Sequence, residues 1–178
     1  MMLKKRGVSS VVATMLLILL TIVSISILAS FLIPFVKKSL KSTDCFEFRS
    51  YFKFDNSFGY NCYNENGVEK LYSITIKADS SNTNQNAEGL SLRFFKSTGV
   101  TSIRIKNGDT LPEITMLDPS LGANLIIPTA GGTYPLLSYL YTSNDLYNKV
   151  EVYPVLADNK VCDKSDSLKI IKCKNLIK

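Results

Sequence analysis

Side chains able to transfer protons, hold metals or form covalent bonds are few in this sequence. They are four cysteines, Cys45, Cys62, Cys162 and Cys173, and one dense carboxylate group, Asp158, Asp163 and Asp166. The chain contains no histidine and no tryptophan, so imidazole is lost as base, proton shuttle and metal ligand. No glycine-rich phosphate loop, GxSxG or CxxC occurs, and the cysteine spacings match no zinc ribbon. The three aspartates lie among Lys160, Lys164 and Lys169, a mixture that reads as a solvated, charge-compensated surface. Tyr134, Tyr139, Tyr141 and Tyr147 have the composition of an adhesive or glycan-binding face, although aromatic residues also populate strands generally, and covering a sheet is the favoured reading. The oxygen-rich run from Asp79 to Glu88 fits no calcium-loop spacing and reads as an exposed loop. No enzyme activity, cofactor or metal is expected, and no N-x-[ST] sequon is present.

The cysteines therefore carry the covalent chemistry. All four follow a long apolar segment, and an even count there favours disulfides formed in an oxidising compartment. Four cysteines allow three pairings. Proximity favours Cys45 with Cys62 and Cys162 with Cys173, each closing a modest loop.

The elements that position these residues divide the chain in two. Gly7 to Val36 contains no charged residue and follows Lys4, Lys5 and Arg6 directly. A bilayer core of about 30 Å needs roughly 20 apolar residues in a helix, so this run spans one with length to spare. It is too long for the apolar region of a cleaved secretory signal, and Leu28, Ala29 and Ser30 make only a weak cleavage site. The basic start stays cytoplasmic under the positive-inside rule, which sends the long C-terminal part outside. Ser10, Thr14, Thr21 and Ser24 share one stripe of the helix, with Ser26 and Ser30 nearly opposite. Two faces of small hydroxyl residues suit packing against several neighbouring helices. Pro34 should loosen the helix locally before it resumes through Lys37 to Lys41.

Beyond Asp44 the period changes to two. Phe46, Phe48, Phe52 and Phe54 alternate with Glu47, Arg49, Tyr51 and Lys53, which predicts a half-buried strand. Asn66 and Gly67 mark a turn before the alternating Tyr72, Ile74, Ile76 and Ala78. Leu90 to Phe94 and Thr101 to Ile105 follow, then Asn107 and Gly108, the strongest hairpin signal, with Thr110 to Met116 expected to return. Tyr134 to Tyr141, Lys149 to Leu156 and Leu168 to Ile171 complete the series. The fold class is α+β: one long apolar helix, then an all-β, sandwich-like domain.

The formal net charge is +6, from 21 Lys and Arg against 15 Asp and Glu. Six of the cations, Lys4, Lys5, Arg6, Lys37, Lys38 and Lys41, flank the apolar run. They belong to a membrane interface, and no nucleic-acid partner is expected.

KKRG followed by VSSVVATMLLILLTIVSISILASFLI resembles the class III signal of type IV prepilins, most closely the archaeal type IV pilin group. The resemblance covers Lys4 to Val36. It implies a leader, residues 1–7, removed between Gly7 and Val8 by a prepilin peptidase, with Lys4, Lys5, Arg6, Gly7 and Val8 carrying the processing. It implies a helix over 8–43 that waits in the membrane and then packs against copies of itself, aided by assembly machinery, with residues 44–178 as an outer domain serving adhesion. Loss of the leader lowers the formal net charge by three, from +6 to +3. Two positions depart from family patterns: Ser10 stands where archaeal pilins usually have proline, and Val12 stands at the fifth mature position, where bacterial major pilins carry glutamate. The competing readings are a single-pass, signal-anchored surface binding protein and, within filaments, a minor pilin or an archaellin.

Overall fold

A computed structural model describes residues 10–79 and 87–173, and within the helix the side chains of Ser10 and of residues 37–44 are not described. The chain divides into two compact units, one ending at Asp44 and one beginning at Cys45.

The first unit is the helix α1, Ser10–Phe46, whose last two residues reach into the second. Its leucine, alanine and methionine content favours helix, and no glycine interrupts it. Pro34 lies inside an α1 that continues beyond it.

Among the described residues, the second unit holds ten strands in two sheets. β1 (Phe52–Phe54), β2 (Cys62–Asn66), β3 (Glu69–Ala78), β6 (Ile114–Met116), β7 (Leu136–Ser143) and β10 (Ile171–Lys172) form one sheet, ordered β10-β2-β3-β7-β6, with β1 also on β3. β4 (Gly89–Lys96), β5 (Gly99–Lys106), β8 (Lys149–Val155) and β9 (Asp166–Lys169) form the other, ordered β5-β4-β8-β9. The period-two pattern decides which side chains enter the core. Tyr72, Ile74, Ile76 and Ala78 of β3, Leu137, Tyr139 and Tyr141 of β7, Leu90, Leu92 and Phe94 of β4, and Val150 and Val152 of β8 are all buried in one cluster. The sheets meet through aromatic rings, with Phe94 of one sheet 4.6 Å from Tyr141 and 6.0 Å from Tyr72 of the other.

A core rich in tyrosine must satisfy its hydroxyls. The Tyr72 hydroxyl donates to the Asp145 carbonyl at 2.7 Å and accepts the Tyr147 amide at 2.9 Å. Tyr139 donates to the Ile126 carbonyl at 2.6 Å, and burial holds its ionisation far above the ordinary tyrosine range. Tyr139, Tyr141 and Tyr147 are thus core residues beneath the sheets; only Tyr134 of the four is exposed.

Three expectations are corrected. The predicted strand from Cys45 to Phe54 is mostly helix end and turn, and only Phe52–Phe54 pairs. Tyr51 is buried where the alternation placed it outside, whereas Phe46 is exposed. Asn107 and Gly108 do not return a hairpin onto β5. Gly108 has φ +86°, and the corner instead grips the segment Leu125–Ile127: the Gly108 amide donates to the Leu125 carbonyl, and the Asn107 side chain accepts the Ile127 amide at 2.8 Å. The chain then crosses to the other sheet, where β6 pairs with β7.

The third correction is the disulfides, which are Cys45–Cys162 and Cys62–Cys173. Sheet topology overrides sequence proximity. β10 runs parallel to β2 with Ile171 opposite Cys62, which carries Cys173 alongside, its amide donating to the Tyr63 carbonyl. Cys162 is held at the end of β8 by its amide on the Pro154 carbonyl. The next residues hold the segment after α1: Ser165 donates to the Phe48 carbonyl and accepts the Phe52 amide, and Asp166 accepts the Phe54 amide at 2.9 Å. Asp166 is therefore a structural acceptor.

Candidate functional site

The surface that most needs a functional explanation is α1 from Val11 to Val36. These 26 residues form one continuous apolar span, at about 1.5 Å per residue nearly 40 Å long. Its large side chains are uncovered within the chain, from 48% exposure at Val36 to 72% at Phe31. A helix that is apolar on every side belongs in a membrane or inside other protein. Each large apolar side chain left in water forgoes about 1.5–3 kcal/mol, so the span as a whole forgoes tens of kcal/mol. That exceeds the roughly 5–15 kcal/mol by which a domain is usually stable. Water cannot be this helix's working solvent.

The hydroxyl residues are built for the same setting. Thr14 donates to the Val11 carbonyl at 2.9 Å, Thr21 to Ile18 at 2.8 Å and Ser30 to Ile27 at 2.7 Å. Ser24 donates to Leu20 and Ser26 to Ile22, both at 2.8 Å. A hydroxyl bonded to its own helix places no unsatisfied donor in an apolar surrounding, and its oxygen can still accept. The five are small enough to admit close neighbours and need none for hydrogen bonding.

The processing residues Lys4, Lys5, Arg6, Gly7 and Val8 lie outside the described residues, as do the Ser10 side chain and most of the Asp79 to Glu88 loop. All four candidate cysteines are bonded, and both disulfides join an early part of the second unit to its last seventeen residues. Tyr134 lines an open recess of about 390 Å³ with Tyr60, Leu117, Asp118, Leu121 and Leu136. There the Asp118 carboxylate is engaged by the Ser120 hydroxyl and amide, which hold its pKa below the ordinary range. Among the described residues no three His, Cys, Asp or Glu side chains converge as a metal site.

Sequence reasoning passed over Ser165 and Asp166 as structural acceptors. Their signal, polar residues just before a strand, is too common to single out. No family model, curated protein or solved structure matches the chain.

Proposed function

We propose that this protein is a structural subunit of an extracellular filament of the archaeal type IV pilin kind, made as a membrane-inserted precursor. Cleavage between Gly7 and Val8 releases the basic leader, and α1 then moves from lipid into a bundle of other copies, with the β-rich unit outside serving adhesion. The observation that carries this reading is α1 itself: apolar on every side, uncovered over Val11–Val36, and with its described hydroxyls satisfied internally. Such a helix loses no side-chain hydrogen bond in exchanging lipid for protein, because each of the five hydroxyls between Val11 and Val36 already has a partner in its own helix. The leader sequence Lys4 to Val8 supplies the processing signal. Two disulfides in the second unit support an oxidising location outside the membrane. The role is structural and not enzymatic.

The mature amino terminus tests it. Mass spectrometry of sheared surface material should find a chain beginning at Val8, and filaments retaining Met1 would sink the proposal. Gly7→Trp should leave unprocessed precursor in the membrane, and normal filaments from that variant would contradict it. A signal-anchored binding protein, by contrast, would keep its leader and dissolve in detergent as monomers.

A further inference from the structure

The second unit is close to electrical balance as a whole and unbalanced by face. From Cys45 onward the chain has fifteen Lys and Arg and fourteen Asp and Glu. By the alternation of its strands, the solvent side of the sheet β5-β4-β8-β9 gathers five cations, Arg93, Arg104, Lys106, Lys149 and Lys169, against one carboxylate, Glu151, and Lys164 joins them through its ion pair with Glu151. Glu151 is itself neutralised. It is 7% exposed, accepts the Tyr153 hydroxyl at 2.5 Å, and lies 3.0 Å from Lys149 and 3.6 Å from Lys164. No carboxylate among the described residues lies within 4 Å of Arg93, Arg104, Lys106 or Lys169.

The register arranges these cations in a line. Arg104 of β5 is opposite Ser91, one diagonal step from Arg93 of β4. Arg93 is opposite Glu151, one further diagonal step from Lys149 of β8, and Lys149 is directly opposite Lys169 of β9. Diagonal neighbours on a sheet are about 7–8 Å apart and directly opposed ones about 5 Å, so the two diagonal steps, Arg104 to Arg93 and Arg93 to Lys149, have a spacing close to that of successive phosphates in an extended strand, and the opposed Lys149 and Lys169 close the stripe across all four strands. Two of its members are pre-positioned on rings. The Arg93 guanidinium lies 4.2 Å from the centre of the Tyr153 ring, and the Lys149 ammonium 4.1 Å from that of Phe95.

We propose that this face binds a single-stranded nucleic acid, its phosphates along Arg104, Arg93, Lys149 and Lys169 and a base stacked on the outward side of the Arg93 guanidinium. A line of separated cations suits a phosphodiester chain, and a planar cation held on an aromatic ring offers a stacking surface that a saturated acidic polysaccharide or a lipid headgroup does not use. Overall charge conceals the site, because folding separates charges that composition averages. The proposal is independent of filament assembly and of cleavage at Gly7.

Fluorescence anisotropy of a labelled oligothymidylate, with the full-length chain in neutral detergent micelles, tests it. Binding should weaken with salt at a log–log slope of about −0.7 per phosphate engaged, near −3 for four. R93E/R104E should lose roughly tenfold or more in affinity and flatten that slope by about 1.4 or more. R104E/K169E, whose side chains make no ion pair or ring contact in the described structure, should do the same without disturbing the fold. K77E, an exposed position on the other sheet, should bind like the parent chain. The proposal is overturned by absence of binding at low salt or by charge-reversed variants that bind as the parent does. It is equally overturned if a sulfated polysaccharide or phosphatidylserine vesicles compete as well as the oligonucleotide, charge for charge.

Discussion

Removing the disulfides singly and together should reveal that they are interlocked. Cys45–Cys162 and Cys62–Cys173 span sequence separations of 117 and 111, and the two intervals overlap. Closing the first loop alone in an unfolded chain reduces its entropy by an amount worth about 4.9 kcal/mol at 25 °C. With that bond in place, the second no longer closes a long loop. The shortest path between Cys62 and Cys173 then runs back to Cys45, across the bond and on from Cys162, about 30 residues in all, worth about 3.6 kcal/mol. The same holds with the roles exchanged. Each single removal, C45A/C162A or C62A/C173A, should therefore cost about 3.6 kcal/mol, while removing both should cost about 8.5, roughly 1.2 more than the two singles together. Urea unfolding of the three variants and the parent, followed by intrinsic tyrosine fluorescence, measures all four corners of this cycle; the chain has nine Tyr and no Trp to interfere. Local pairs would close two separate loops and behave additively, at about 3 kcal/mol each. Additive losses, or a proteolytic map showing Cys45 joined to Cys62, would refute the reasoning.

Three other perturbations read different parts of the second unit. In Tyr72→Phe the Tyr147 amide and Asp145 carbonyl lose a shared partner, which should cost about 1–3 kcal/mol in denaturant unfolding, with a loss well under that range counting against the network. In Gly89→Ala the new Cβ would sit 2.8 Å from the Ile105 carbonyl oxygen, backbone that the β4–β5 pairing fixes, so a loss of about 1–3 kcal/mol in the same assay is expected. Glu151 has its pKa below the usual 4.5: burial alone would raise it, but the Tyr153 hydroxyl and Lys149, with Lys164, together outweigh that. Its contribution is therefore full above about pH 4.5 and fades as pH falls through the lower folded value. Glu151→Gln should be less stable at neutral pH and show a flatter acid limb in unfolding midpoints against pH. An unchanged acid limb would show that Glu151 does not contribute.

The architecture was legible where one periodicity ruled a segment without competition. Val11–Val36 declares itself by composition alone, and the alternation in Tyr72 to Ala78 and Leu90 to Phe94 puts the right side chains inside. Legibility failed where a distant element decided the outcome. Phe46 and Phe48 alternate like strand residues, yet Cys45 and Phe46 finish α1, and Ser165 and Asp166, more than a hundred residues away in sequence, hold the turn that follows. Asn107–Gly108 is a strong local turn signal, but Leu125 and Ile127 claim its hydrogen bonds. The cysteine pairing depends on β10 lying parallel to β2, a contact no local pattern announces. The cationic stripe was half visible, since Arg93 and Arg104 sit at outward positions of readable strands. What joins them is the register between strands, which the sequence of either strand alone does not contain.

The overlapping disulfides also have a mechanical meaning. Tension applied along α1 would reach the second unit at Cys45, where it would divide at once between the onward chain and the bond to Cys162. The strand nearest that point, β1, resists peeling from β3, because the Phe52 and Phe54 amides are held by Ser165 and Asp166, a few residues beyond the Cys45–Cys162 bond. Behind it, Cys62 and Cys173 bar the same route from the carboxyl-terminal side. Noncovalent contacts would have to yield together, and even then the extension is capped by the cross-linked loops: a tether that stretches little before it breaks.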